Sequence, residues 1–258
     1  MDCSEDENRA KELCLQSFFK GNKFAEGMMY YFGWETKRNY EKAFDCFSQS
    51  LQTDPLFQNE DSYSLNFLAN LYQHGRGIKK DINKAIQFYA KSIQLNNSAA
   101  MNNLALIYEE GRDGIKKDIS KAVELYSQSA RLSNSVAMNN LALIYEHGDE
   151  GIEIDVHKAV QLYYKAIQYN NSYAMNNLAL IYEQGRKEVQ RDLNKSIQLY
   201  CQAIQHNNSH AMFNLALIYE QGCEELKKDL HKAAQLFSRA AELGHKNAKK
   251  KVLIFKIK

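Results

Sequence analysis

Residues 101–111 read MNNLALIYEEG, and the phrase returns as MNNLALIYEHG at 138–148, MNNLALIYEQG at 175–185 and MFNLALIYEQG at 212–222. Met101, Met138, Met175 and Met212 are spaced 37 residues apart. A fixed period of this length marks a solenoid, in which one supersecondary unit stacks on its own copies to bury a continuous core. In the copy from Ala99 to Ser135, Met101, Leu104, Ala105 and Tyr108 fall at i, i+3, i+4 and i+7, the apolar stripe of an amphipathic helix. Gly111 follows, where a left-handed backbone stops a helix. Asp118 is placed to cap a second helix with the stripe Ile119, Ala122, Val123, Tyr126 and Ala130.

Outward from this copy the same choices recur. A helix-stop glycine stands at Gly33, Gly75, Gly111, Gly148, Gly185 and Gly222, and a capping residue at Asn39, Asp81, Asp118, Asp155, Asp192 and Asp229. Three residues after each cap comes Lys42, Lys84, Lys121, Lys158, Lys195 or Lys232, then a small residue for close helix approach. The first helix carries Tyr30, Tyr72, Tyr108, Tyr145, Tyr182 and Tyr219; the second carries Phe47, Tyr89, Tyr126, Tyr163, Tyr200 and Phe237. The first copy is irregular, with Glu26 where the second has Leu68, and a longer spacer with Pro55 and Phe57 suits a bend there.

This pattern resembles the Sel1-like repeat, a relative of the tetratricopeptide repeat. It is carried by Leu104–Ala105, Tyr108, the glycine loop, the D-x-x-K-A segment and the closing aromatic. The resemblance implies an all-α fold, a right-handed α-α superhelix of about six helix-turn-helix repeats at 24–52, 62–97, 98–134, 135–171, 172–208 and 209–245. Residues 1–23 read as an N-terminal capping segment, with Ala10, Leu13, Cys14 and Phe18 at helical spacing. Residues 246–258 read as a basic closing helix or tail, in which Val252 to Phe255 could instead fray or find a strand partner.

Composition narrows the function. The net charge is only +2, with an acidic start and six lysines after His245. A neutral body argues against a nucleic-acid groove, which needs a clustered basic stripe. The lysine tail keeps a nucleic-acid or membrane-surface binder as an alternative, although lysines at a helix end also satisfy the helix dipole. The start MDCSEDEN is acidic where a secretory leader is basic and then apolar, and no run is long enough to span a bilayer. Five cysteines do not follow the repeat, which points to reduced thiols and a cytoplasmic protein. Some relatives are β-lactamase-like enzymes with a cysteine pair in each repeat; such pairs do not occur here.

No phosphate loop, H-E-x-x-H or C-x-x-C occurs, so neither catalysis nor a cofactor is expected. The nearest approach to a metal set is Cys201, His206, His210 and Cys223, but His206 and His210 straddle a turn. What remains is surface, and the chain reads as a monomeric interaction scaffold or adaptor. In related folds the first helices line the concave side. There the face opposite the core stripe would stack Asn102, Asn139 and Asn176; Leu106, Leu143, Leu180 and Leu217; and Glu109, Glu146, Glu183 and Glu220. Asparagine can pair with the peptide units of an extended chain, leucine forms an apolar floor, and glutamate an acidic rim. The expected partner is a basic or extended protein segment. The adjacent Asn103, Asn140, Asn177 and Asn214 match a family position, for which the resemblance offers the alternative role of tying neighbouring helices.

Overall fold

A computed structural model of the chain describes residues 5–52, 58–186, 188–223 and 226–257. Pro55 and Phe57, with the expected bend, lie outside the described residues, as does Cys3. Fourteen helices run in chain order among the described residues, forming two compact units, Met1–Leu132 and Ser133–Lys258. Unit 1 holds α1 (Glu5–Phe19), α2 (Lys23–Phe32), α3 (Tyr40–Ser50), α4 (Gln58–His74), α5 (Ile82–Gln94), α6 (Ser98–Glu110) and α7 (Ile119–Arg131). Unit 2 holds α8 (Ser135–His147), α9 (Val156–Ile167), α10 (Ser172–Gln184), α11 (Leu193–Gln205), α12 (Ser209–Gln221), α13 (Leu230–Glu242) and α14 (Lys246–Ile257).

Local chemistry sets where each helix begins. Asn39, Asp81, Asp118, Asp155, Asp192 and Asp229 each accept the amide of the lysine three residues on, at 2.8 to 3.0 Å. Their own amides donate to the carbonyls of Tyr30, Tyr72, Tyr108, Tyr145, Tyr182 and Tyr219 at 2.7 to 3.0 Å. One residue therefore caps the second helix and ties it to the first. Between the last five repeats, three or four residues separate the helices. Asn96, Ser133, Asn170 and Asn207 take a left-handed φ of 56° to 64°. The next residue (Asn97, Asn134, Asn171 or Asn208) caps the following first helix through its side chain. Asparagine suits both positions, because its short polar side chain tolerates the left-handed region and accepts from a helix amide.

The core lies between the helices of each pair. Phe47, Tyr89, Tyr126, Tyr163, Tyr200 and Phe237 are fully buried, against Ala43, Ala85, Ala122, Ala159, Ser196 and Ala233. In unit 1 the ring of Phe47 fills the space a side chain at Gly27 would need: a Cβ there would lie 2.6 Å from the ring. The two units differ three residues beyond the second-helix aromatic. Unit 1 has Ser92 and Ser129, whose hydroxyls donate to the carbonyls of Ser62 and Ser98 in the first helix of the same repeat. Unit 2 has the buried Ala166, Ala203 and Ala240 at that position.

The ends depart in part from expectation. In α1, Leu13 is 57% exposed and lies outside the packed face. The C-terminal segment is helical through Ile257, so Val252 and Leu253 form no strand; Val252 packs on the cluster of Met212, Ala216, Phe237 and Ala248.

Candidate partner-binding face

The first helices are buried around more of their circumference than one stripe implies, because each packs against its own partner and against adjacent repeats. In α6 the buried residues are Ala100, Met101, Asn102, Leu104, Ala105 and Ile107. The open arc is centred on Ala99, Asn103, Leu106 and Glu110, which are partly or fully exposed and follow i, i+4, i+7 and i+11.

This corrects the asparagine ladder. Asn102, Asn139 and Asn176 are only 9%, 7% and 6% exposed. The side-chain amide of Asn177 donates to Asn139 at 3.0 Å, that of Asn214 to Asn176 at 3.0 Å, and that of Asn103 to Asn66 at 3.1 Å. Asn176 in turn donates to Asn177 at 3.2 Å, so in unit 2 a side-chain amide relay runs across α12, α10 and α8. These groups join the repeats instead of facing a peptide, and Asn103, Asn177 and Asn214 are the residues that tie neighbouring helices.

The glutamate ladder is corrected as well. Tyr126 donates to Glu109 at 2.6 Å, Tyr163 to Glu146 at 2.7 Å and Tyr200 to Glu183 at 2.6 Å. Glu146 is 6% exposed and also receives Arg186 of the next repeat at 3.2 Å. Glu220 meets Lys251 of α14 at 2.6 Å. A buried phenol needs an acceptor, and burial raises the pKa of the Tyr163 and Tyr200 hydroxyls, with the adjacent carboxylates pushing the same way. The carboxylates therefore serve the core and the closing helix, and the expected acidic rim is largely satisfied within the fold. Lys251, one of the tail lysines, is a packing residue that also lies over the Phe237 ring.

The first-helix tyrosines act with the repeated lysines. The ammonium groups of Lys42, Lys84, Lys121, Lys158, Lys195 and Lys232 lie over the rings of Tyr30, Tyr72, Tyr108, Tyr145, Tyr182 and Tyr219, at 3.8 to 5.3 Å from the centroids. Lys121, Lys195 and Lys232 also approach the carboxylates of their own capping aspartates. The D-x-x-K spacing thus joins cap, cation and ring at each loop.

The leucines do reach the open arc: Leu106, Leu143, Leu180 and Leu217 are all partly exposed. In unit 2 they adjoin a second exposed row that the helical spacing alone does not single out. Val136, Tyr173 and His210 occupy the second position of α8, α10 and α12; Val136 is 50% and Tyr173 60% exposed. The His210 ring lies 6.4 Å from Tyr173 and 4.9 Å from His245, which stacks on Phe213 at 4.5 Å. His147, Gln184 and Gln221 are exposed at the far end of the same stripe. The signal for this row was the variation Ala99, Val136, Tyr173, His210 inside an otherwise constant phrase. In unit 1 the position of Tyr173 is held by Tyr63, 52% exposed, beside Phe24, whose ring in turn adjoins Phe67.

Among the described residues, no group of three or more His, Cys, Asp or Glu side chains is placed to hold a metal ion, so Cys201, His206, His210 and Cys223 are not brought together. Cys14, Cys46, Cys201 and Cys223 are free thiols, and none bridges the helices of a repeat. No described helix is long and apolar enough to cross a membrane.

The Sel1 repeat model matches residues 25–52, 62–97, 98–134, 135–168, 172–208 and 209–245. No curated protein matches the chain in sequence. Among solved structures, a Sel1 repeat protein from Oxalobacter formigenes is similar over 86% of this chain and 86% of its own, with 28% identity and a TM-score of 0.75. The immunity proteins PA5088 and Pa5087 of Pseudomonas aeruginosa share the fold at 17% identity, each covering 87% of this chain and 81% of its own, with TM-scores of 0.60 and 0.57. With six matched repeats accounting for most of its length, the chain belongs to the Sel1 repeat family.

Proposed function

We propose that this chain is a non-catalytic scaffold that holds a segment of another polypeptide along the open arc of its first helices. Sel1 repeat proteins generally mediate protein–protein interaction, on a fold that is typically non-catalytic. The observation that carries the reading is the row in unit 2. Val136, Tyr173 and His210 project from equivalent positions, each followed seven residues on by Leu143, Leu180 or Leu217. Exposed aromatic and apolar groups at a regular spacing, flanked by polar residues, have the composition of an interface centre. Because Glu109, Glu146 and Glu183 accept from tyrosines and Glu220 pairs with lysine, the occupant is recognised by apolar and hydrogen-bonding contacts more than by basic charge.

The test is quantitative partner capture from native cells with the full chain and two variants. A Tyr173→Ser/Leu180→Ser/His210→Ser triple variant should lose the captured set by more than about tenfold, as hot-spot truncation does. A Gln161→Ser/Gln198→Ser variant on the second helices should retain it. Undiminished capture by the triple variant overturns this face as the site.

A further inference from the structure

Repeats four and five differ at the residue that follows the buried second-helix tyrosine. In α9, Tyr164 reaches Tyr182 of α10, and the two hydroxyls lie 2.9 Å apart. One repeat on, Tyr219 of α12 replaces Tyr182, but Cys201 of α11 stands where Tyr164 would be. A cysteine cannot span the distance its tyrosine counterpart spans. In its place lies a groove of about 390 Å³. Its sides are Cys201 and Ile204 of α11 and Leu236 of α13, and Leu215 and Tyr219 of α12 lie between them. Lys232 and Arg239 add two cations.

We propose that this groove is a second docking site, which receives a tyrosine side chain from an acidic segment of a partner polypeptide. The ring takes the place that Tyr164 fills in the preceding repeat, with its hydroxyl toward Tyr219 and its faces against Ile204 and Leu236. The charge of Lys232 is shared with Asp229 at 3.6 Å and with the Tyr219 ring. Arg239 is exposed and directs one nitrogen to Asn207 at 3.1 Å. A guanidinium has five donors, so it is the group that meets a carboxylate beside the docked tyrosine. One repeat earlier, the position of Arg239 is Gln202, and Tyr164, 44% exposed, already reaches the Tyr182 hydroxyl. Relative to the preceding repeat, this groove lacks the tyrosine and gains a cation.

The test uses the full chain and the peptide acetyl-Glu-Asp-Tyr-Glu-Glu-amide. Cys201 is exposed at the groove, so its alkylation by iodoacetamide reports occupancy, with Cys14 of unit 1 as the internal reference. Saturating peptide should slow modification of Cys201 at least about fivefold and leave Cys14 unchanged, whereas the Tyr→Ala peptide should protect neither. By fluorescence anisotropy, Cys201→Tyr should abolish peptide binding while preserving the helical circular dichroism, and Arg239→Gln should weaken it at least about tenfold, in the range of one charged hydrogen bond. Absence of protection at millimolar peptide, equal protection by the alanine peptide, or undiminished binding to Cys201→Tyr each overturns the proposal. The Tyr173/Leu180/His210 variant should bind the peptide normally, which separates this site from the first-helix face.

Discussion

The phenol of Tyr163 donates a 2.7 Å hydrogen bond to the carboxylate of Glu146, which is itself only 6% exposed. The relationship repeats as Tyr126 with Glu109 and Tyr200 with Glu183, and with an amide acceptor as Tyr89 with Gln73. Where the second-helix aromatic is Phe47 or Phe237, no phenol needs an acceptor. The acceptor position then holds Tyr31, bonded to Asn70, or Glu220, bonded to Lys251. Each buried phenol has its acceptor, as burial of a hydroxyl requires, and the glutamate opposite Phe237 takes a lysine instead.

Removing the acceptor should therefore be costly. Glu146→Ala leaves the Tyr163 hydroxyl and the Arg186 charge without their buried partner and should lower stability by about 2–3 kcal/mol. Glu146→Gln keeps an acceptor, as Gln73 does for Tyr89 at 2.7 Å, and should lose less than half as much. Urea unfolding of the two variants decides it; equal losses would show that the hydrogen bond contributes little.

Alkaline pH offers an independent check. Burial raises the pKa of Tyr89, Tyr163 and Tyr200 in the folded chain. An unfolded tyrosine ionises near ~10, so their contribution is intact below that pH and is lost as pH rises above it. Near-ultraviolet titration should find these three phenols silent until the chain unfolds. Early ionisation of all sixteen tyrosines would contradict their burial.

The asparagine relay makes a prediction opposite to that for a binding ladder. Asn176→Ala removes the acceptor of Asn214 and should lower stability by about 1–2 kcal/mol. Tyr173→Ala, at a 60% exposed position, should change it by less than about 0.5 kcal/mol. Thermal unfolding of the two variants should give this order.

Two loop glycines separate strain from crowding. Gly111 has φ +60°, and a Cβ there would lie 2.7 Å from the backbone nitrogen of Lys117; Gly114 has φ +84° with nothing within 4 Å. Gly114→Ala should cost about 1–2 kcal/mol from conformation alone. Gly111→Ala should cost distinctly more, because backbone must also move. Comparable denaturation midpoints would contradict the crowding.

His245 gives the last repeat a dependence on acid. Its Nδ1 accepts the Ala248 amide at 3.2 Å at the start of α14, which requires a neutral ring. Its pKa is lowered by burial and then by His210. A His with a lowered folded pKa supports the fold above its unfolded value of ~6.5 and loses that support as pH falls through the folded value. Amide exchange over α14 should accelerate in that window. His245→Ser, a capping residue that does not titrate, should remove the dependence; an unchanged profile would place it elsewhere.

Much of the fold was legible because its determinants are local. Asp118, Gly111 and the Tyr108 and Tyr126 positions act within one repeat, and six recurrences multiply the signal. The candidate face was less legible. Leu106 and its copies do reach the surface, yet Asn102 and Glu109, a few residues away on the same helix, are drawn inward or satisfied by neighbours. Helical spacing orders residues around an axis, but it does not state how wide an arc the adjacent repeats cover. The exposed row of Val136, Tyr173 and His210 was hidden for the converse reason. It varies where the rest is constant, and variation in one sequence carries no sign of burial.

By itself, then, the sequence determined the helix pairs, their order, their caps and their number, since periodicity and capping depend on residues close in the chain. Only the tertiary structure decided which polar groups remain for a partner. Asn176 is committed by Asn214, Glu146 by Tyr163 and Arg186, and Glu220 by Lys251. Each commitment joins residues 17 to 40 positions apart, and a buried donor or acceptor is satisfied by whichever group packing brings within reach.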